Sequence, residues 1–348
     1  MRIRIICTLG PASMNPRTIR ELTRRGVDLF RINLSHTALE DVEPAIDLVR
    51  SNSSVPLSLD TEGAQVRCRR VDGELRLERG GIVELTSEDR LGTSRRIALY
   101  PDVAVAALCP GSLVSIDFHG VVLRVLDVRA DGSTARAIVE EPGWIGSNKG
   151  VALEPPIPLP AITPKDEAAV RIGVEHGIDH YALSFAGSGD DVRSLRERIP
   201  RGAQLIAKIE SRAGVRNMDS IIEASDVVLI DRGDLSREIP FEDIPFFQKA
   251  IVRRANRWNR PLYVATNLLE SMITNRQPTI AEANDIANTL LDGAHGLVLA
   301  AETAIGVDPV GTVDTIRRLI DAFDREGFGR FIDAPDVTPS SGTSAAAG

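Results

Sequence analysis

Eight short apolar runs, each followed by a segment of helical periodicity, predict an α/β chain folded as a (β/α)8 TIM barrel. Polar and charged residues gather where those runs end, at the carboxyl ends of the expected strands, which is where such a barrel keeps its chemistry. One stretch breaks the rhythm. From Cys68 to Pro156 alternation and turn residues replace helical spacing, as in SLVSIDFHGVVLRVLDVRADGSTARAIVEE, which predicts a small β-barrel-like domain inserted after the third strand. The expected organisation is therefore residues 1–67 and 157–330 as the barrel, 68–156 as a β lid, and 331–348 as a small, polar, disordered tail.

In chain order, RIICT is strand-like and runs into the turn Gly10-Pro11-Ala12-Ser13, which opens a helix from Pro16 to Arg25. The second strand, DLFRI, delivers Arg31, Asn33, Ser35 and His36 into one loop, and a helix from Leu39 to Val49 follows with Pro44 as an irregularity. The third strand, PLSL, ends in Asp60-Thr61-Glu62-Gly63. After the insertion, a proline-rich exit (EPPIPLPAITP) leads to a helix from Lys165 to His176 and the strand HYALS. A helix from Asp190 to Arg198 follows. Beyond residue 240 come a helix from Phe241 to Trp258, the strand LYVA ending in Thr266-Asn267, and a helix from Ile280 to Asp292. The last strand, GLVL, leads to Glu302-Thr303, and a final helix spans Val310 to Phe323.

The chemistry concentrates between Gln204 and Ser236. Lys208 and Glu210 are two apart, so they share one face of a strand end, and Asp234 falls in a loop opened by Arg232-Gly233 beyond the buried run VVLI. Helical spacing between Gly214 and Ala224 makes those two strands parallel neighbours. Two carboxylates suit a hard divalent cation with open water positions, and a lysine beside them suits a transferring or developing negative charge. Taken alone, a Lys-x-Glu pair is more often a solvated ion pair.

Composition narrows the partners. The chain has 348 residues, 43% hydrophobic and 26% charged, and a net charge of -8, which argues against nucleic acid. Three widely spaced cysteines, Cys7, Cys68 and Cys109, indicate neither a disulfide framework nor a zinc site. No apolar run approaches a membrane span, so a cytoplasmic protein acting on a small molecule is expected, with homo-oligomerisation left open.

Seven motifs carry a family resemblance: CTLGPAS, RINLSH, LDTEG with Arg67, KIE (Lys208 to Glu210), RGDL (Arg232 to Leu235), ATNLLESM and LDGA…ET. In this order, with a β insertion at the same place, the chain resembles pyruvate kinase. The resemblance covers nearly the whole barrel and stops near Phe323, so the family's C-terminal regulatory domain is expected to be absent. It implies Mg²⁺ or Mn²⁺ at Glu210 and Asp234, with Lys208 and Arg31 on the phosphoryl group in flight and Arg67 as a second phosphate-facing arginine. The backbone of Arg232, Gly233 and Asp234, with Thr266, would receive the substrate carboxylate, and Thr266 would sit near the path of enolate protonation. Ser184 and Phe185 match pocket residues, Pro11, Asn33, His36 and Lys149 match nucleotide contacts, and Asn33, Ser35, Asp60 and Thr61 match a K⁺ site.

The departures from the family pattern cluster. Asp231 stands where a small alanine is expected and should repel a substrate carboxylate; Ser236 replaces a glycine; Ala64 and Gln65 replace a proline and a glutamate, which puts K⁺ dependence in question. Asn148, Gly187 and Ala300-Ala301 thin the nucleotide side, and the lid lip reads Asp117-Phe118-His119-Gly120. Three readings follow: a minimal enzyme moving phosphate between phosphoenolpyruvate and ADP, a diverged enzyme using metal–enolate chemistry on pyruvate or another 2-oxo acid with altered or no nucleotide use, and a non-catalytic binding protein. The intact Lys208, Glu210, Asp234 and Thr266 weigh against the third.

Overall fold

The computed structural model describes residues 2–63, 65–117, 120–157 and 159–325; expectations for Ala64, Phe118, His119 and the 331–348 tail fall outside them. Eight parallel strands close into a barrel in chain order: β1 (Arg4–Leu9), β2 (Leu29–Asn33), β3 (Leu57–Asp60), β4 (His180–Leu183), β5 (Gln204–Ile209), β6 (Val227–Asp231), β7 (Leu262–Ala265) and β8 (Gly296–Leu299), with β8 returning to β1. The (β/α)8 barrel with an inserted β unit is thus the architecture of the protein.

Side-chain alternation explains how runs that read as continuously apolar serve two surfaces. On β5, Leu205, Ala207 and Ile209 face the surrounding helices, while Ile206 joins an interior cluster with Ile6, Leu29, Val227, Leu229, Tyr263 and Val298. The same period of two turns Lys208 inward after Ile206, and Asp231 inward after Val227 and Leu229. Each strand thus carries an aliphatic outer face and an inner face that changes from apolar to polar along its length.

The helices follow the expected periodicity with small shifts at their ends. Pro164–Glu175 and Ile280–Leu291 each begin with a capping box, Thr163 with Asp166 and Thr279 with Glu282. Two expectations needed correction. The helix read from Gly214 to Ala224 is two pieces, Arg212–Arg216 and Met218–Ala224, with Asn217 closing the first and opening the second. Asp234, expected in a loop opened by Arg232-Gly233, lies in a single helical turn, Arg232–Leu235, that begins directly after β6.

The inserted unit is a second closed barrel of seven strands with its own core, including Leu85, Leu99, Val114, Leu123 and Ala137. Its strand Val66–Cys68 pairs antiparallel with Gly150–Glu154, in the register Arg67 to Gly150 and Val66 to Val151. The chain therefore enters and leaves this unit along neighbouring strands. Cys7 and Cys68 are buried, Cys109 is exposed, and all three are free. Among the described residues no helix is long and apolar enough to cross a membrane.

Candidate active site

Lys208 is the hub of the barrel mouth. Only 4% exposed, it lies 3.0 Å from Glu210 Oε2, 3.4 Å from Asp60 Oδ2 and 3.7 Å from Asp231 Oδ2, and it donates to Ser184 Oγ at 3.0 Å. Arg31 reaches the same Asp60 carboxylate from β2 at 3.5 Å. Glu210 is fully buried; its Oε1 accepts the backbone N–H of Phe185 at 2.7 Å, while Oε2 faces Lys208 without a hydrogen bond of good geometry. Phe185 holds a φ of 52°, uncommon for a bulky residue, and that turn aims its N–H at the carboxylate.

Glu210, Asp231 and Asp234 form the one group of metal-ligand type among the described residues, with one carboxylate oxygen of each within 4.8 Å of the others. Their charges are unevenly held. Burial, set against Lys208 and reinforced by Asp234 and Asp231, pushes Glu210 up to about 8. Burial and the Asp231 carboxylate likewise raise Asp234, against the pull of Arg237 at 3.0 Å. For Asp231 burial acts upward too, but Lys208, Arg31 and the Thr266 hydroxyl outweigh it and hold this carboxylate low. Burial opposes the charge of Lys208, yet Asp60, Glu210 and Asp231 together keep it protonated. Two strained carboxylates beside a third that is ionised fit a hard divalent cation, which would relieve both.

Thr266 ends β7 with a φ of 65°, a strained value for a β-branched residue. Its surroundings fix it there. Gly233 N donates to Thr266 Oγ1 at 2.7 Å, and the Arg232 guanidinium donates to the carbonyls of Thr266 (2.7 Å from Nη2) and Asn267 (2.9 Å). Asp285 in turn anchors Arg232 at 2.7 Å. The Arg232 side chain is therefore a clamp on the β7 loop and does not line the cavity.

Above the cluster lies a cavity of about 220 Å³ between the two barrels. From the large barrel it is lined by Asn33, Ser35, His36, Ser184, Phe185, Lys208, Asp231, Asp234 and Arg237, and from the insertion and its entry strand by Arg67, Asp117, Asn148, Lys149 and Gly150. Arg67 donates to Asn148 O at 3.0 Å, and Lys149 pairs with Asp117 at 2.9 Å. Burial and the nearby Arg237 depress Arg67, the signature of two cations facing one space.

Most of the residues singled out in the sequence meet here, but not all. Pro11 is exposed in the turn after β1 and does not line the cavity. The four positions matched to a K⁺ site divide: Asn33 and Ser35 border the cavity, with Asn33 Oδ1 accepting Ser35 N. Asp60 and Thr61 turn to β4, Asp60 accepting Ser184 Oγ at 3.2 Å and Thr61 Oγ1 accepting Ser184 N at 2.9 Å. One participant has no counterpart in the sequence reading, and another does more than its sequence position suggests. Arg237 lies just past the stretch whose pattern was followed, and its one signal was a charge six residues beyond a strand end. Asp231, expected either to repel a substrate carboxylate or to turn away or meet a different substrate group, is also the N-cap of the turn that carries Asp234.

Comparison with known proteins agrees with this geometry. The family described as "Pyruvate kinase, barrel domain" matches residues 1–313. A pyruvate kinase of Methylorubrum extorquens is 35% identical over 99% of this chain and 74% of its own length. One from Thermococcus litoralis is 34% identical over 91% and 69%, and one from Bacillus licheniformis 33% identical over 91% and 56%, so the chain spans little more than half of the latter. The closed barrel, its β insertion and the inward Lys208–Glu210 pair all occur within the matched residues, and the chain belongs to the pyruvate kinase family.

Proposed function

We propose that the chain is a phosphotransferase that moves a phosphoryl group to and from the enol oxygen of a pyruvate-type substrate, with phosphoenolpyruvate and ADP as the reference pair. The observation that carries this reading is the convergence of the buried Lys208, Glu210 and Arg31 with the half-buried Asp234 at the ends of β2, β5 and β6, beneath a second barrel. Such a cluster is costly to bury, and a module that only binds gains little from it, so the non-catalytic reading is the weaker one.

Glu210 and Asp234 would hold Mg²⁺ or Mn²⁺. When bound, that ion supplies charge neutralisation at the substrate oxygens. Lys208 and Arg31 would stabilise the loose, metaphosphate-like group in transit, and Arg67 would face it from the lid side. Ser184 and Phe185 would border the substrate, the backbone of Gly233 and Asp234 with Thr266 would orient it, and Asn33, His36 and Lys149 would meet the nucleotide. We take residues 68–156 as a lid over the mouth. K⁺ at Asn33, Ser35, Asp60 and Thr61 is the least supported part of this reading, because Asp60 and Thr61 are already engaged with Ser184. The acidic balance of the chain supports freedom from nucleic acid, and three free cysteines fit a reducing, cytoplasmic setting.

Asp231 favours a second reading, a diverged enzyme that keeps enolate chemistry on another 2-oxo compound. Its carboxylate lines the cavity and accepts from Thr266 Oγ1 at 3.0 Å, where the substrate carboxylate is expected to dock. The two are separated by measuring ATP made from phosphoenolpyruvate and ADP alongside loss of the methyl proton signal of pyruvate in D₂O with Mg²⁺. The first reading expects both; the second expects exchange with little ATP. Neither activity, with Mg²⁺ bound, would return the binding-protein reading.

A further inference from the structure

Two hydrogen-bond donors at the end of β6 and β7 are already used by the protein itself. Asp231 Oδ1 accepts from Thr266 Oγ1 at 3.0 Å and from the backbone N–H of Asp234 at 3.4 Å. The single hydroxyl hydrogen of Thr266 has a competing acceptor in Ala265 O at 2.6 Å, but a carboxylate is the stronger partner. Gly233 N fills one lone pair of the same oxygen at 2.7 Å. Asp231 itself is only 3% exposed, yet it lines the cavity, whereas Thr266 does not. An incoming molecule therefore meets a carboxylate and not the hydroxyl behind it.

We propose that Asp231 sets substrate choice by standing in for a substrate carboxylate: its own oxygens occupy the Thr266 and Asp234 donors, so the group that docks against this wall is a neutral hydrogen-bond donor, such as a carboxamide or a hydroxyl. The assignment rests on the second reading of the site, enolate chemistry on another 2-oxo compound, and names its substrate class. Lys208, 3.7 Å from Asp231 Oδ2, is shared with Glu210 and Asp60, so it does not fully cancel the charge presented to the cavity. An anion placed here meets repulsion and finds its donors taken, two penalties that a carboxamide avoids by donating to Asp231.

Oxalate and oxamate test this directly, because they have nearly the same shape and differ by one carboxylate against one carboxamide. Calorimetric titration of the Mn²⁺-loaded protein should give a preference for oxamate of about tenfold or more. Asp231→Ala, which frees both donors, should reverse the preference. Asp231→Asn, which keeps the shape and the acceptor Oδ1 but drops the charge, should bring the two within about threefold. Asp231 caps the turn that follows it, so the folded state of each variant is checked by circular dichroism; if the alanine variant does not fold, the asparagine variant decides. Oxalate binding as tightly as oxamate in the wild type, or an unchanged preference in the variants, would overturn the proposal. So would a tenfold loss of Mn²⁺ affinity in Asp231→Ala with the preference intact, since Asp231 would then be a metal ligand, and so would the failure of oxamate to bind. Absence of Mn²⁺ binding in the wild type would instead fault the metal assignment; the oxalate–oxamate comparison, repeated without metal, would still decide the role of Asp231.

Discussion

The two ends of the large barrel's interior are built from the same strands and hold opposite chemistry. Toward one end Ile6, Leu29, Ile206, Val227 and Val298 pack as an apolar plug. At the other, Arg31, Asp60, Lys208, Glu210 and Asp231 bury five ionisable groups, linked by contacts of 3.0 to 3.7 Å. The contrast separates what holds the fold from what the fold is for. Burying aliphatic surface stabilises, whereas burying ions recovers little more than their desolvation cost even when they are well paired. The charged end is tolerable because the apolar end and the outer layer of helices carry the stability.

Changes at the two ends should therefore be read by different measurements. At the charged end, Glu210→Gln, which removes a carboxylate whose charge burial already opposes, should reduce the proposed phosphoryl transfer by on the order of a thousandfold, with urea unfolding at or above the wild-type midpoint. A parallel loss of stability and activity would erase the contrast. At the apolar end, Ile206→Ala, at a side chain 3% exposed, should cost about 2–5 kcal/mol in the same unfolding assay while Mn²⁺ affinity stays within about twofold of wild type. Between them stands Gly63, at φ 74°, where an added Cβ would come 2.8 Å from Ser184 Cβ and 3.0 Å from Ser184 O. Gly63→Ala should cost about 1–3 kcal/mol and, by moving Ser184, also weaken the Lys208 network, so it should register in both assays.

The smallest effect is expected from pH at the apolar end. His295 accepts Leu262 N on Nδ1 at 3.4 Å, a bond that needs the neutral ring, and burial lowers its pKa from 6.5. A depressed folded value means that the unfolded chain binds the proton more readily, so the stability is present above pH 6.5 and is lost as pH falls toward the folded value. Unfolding midpoints at pH 7.5 and 5.5 should differ less in His295→Gln than in the wild type, by under about 1 kcal/mol. Equal pH dependence in both proteins would remove His295 from the account.

Reading the sequence reached the strand count, the break after the third strand and the inward pair at Lys208 and Glu210, because a period of two is a strong local signal. It fell short where a single turn decides the outcome. Arg232–Leu235 is too short to show any periodicity, so the capping by Asp231 and the inward aim of Asp234 could not be derived from spacing. The break at Asn217 has no glycine or proline to mark it. The engagement of Asp60 and Thr61 with Ser184 joins residues more than 120 positions apart, a contact set by closure of the barrel and not by any neighbour in the chain.

The antiparallel pairing of Val66–Cys68 with Gly150–Glu154 has a consequence for how the chain folds. An interruption of this length between two neighbouring barrel strands would ordinarily slow their meeting, since the entropy of closing a loop grows with its length. Here the insertion zips its own entrance to its own exit, so once it has folded, β3 and β4 are tethered as though by a short connection. The large barrel can then assemble without waiting on a long search. The same zipped stem makes the insertion separable: a tight turn joining its two strands beyond Arg67 and Gly150 would span the gap that the whole unit now bridges.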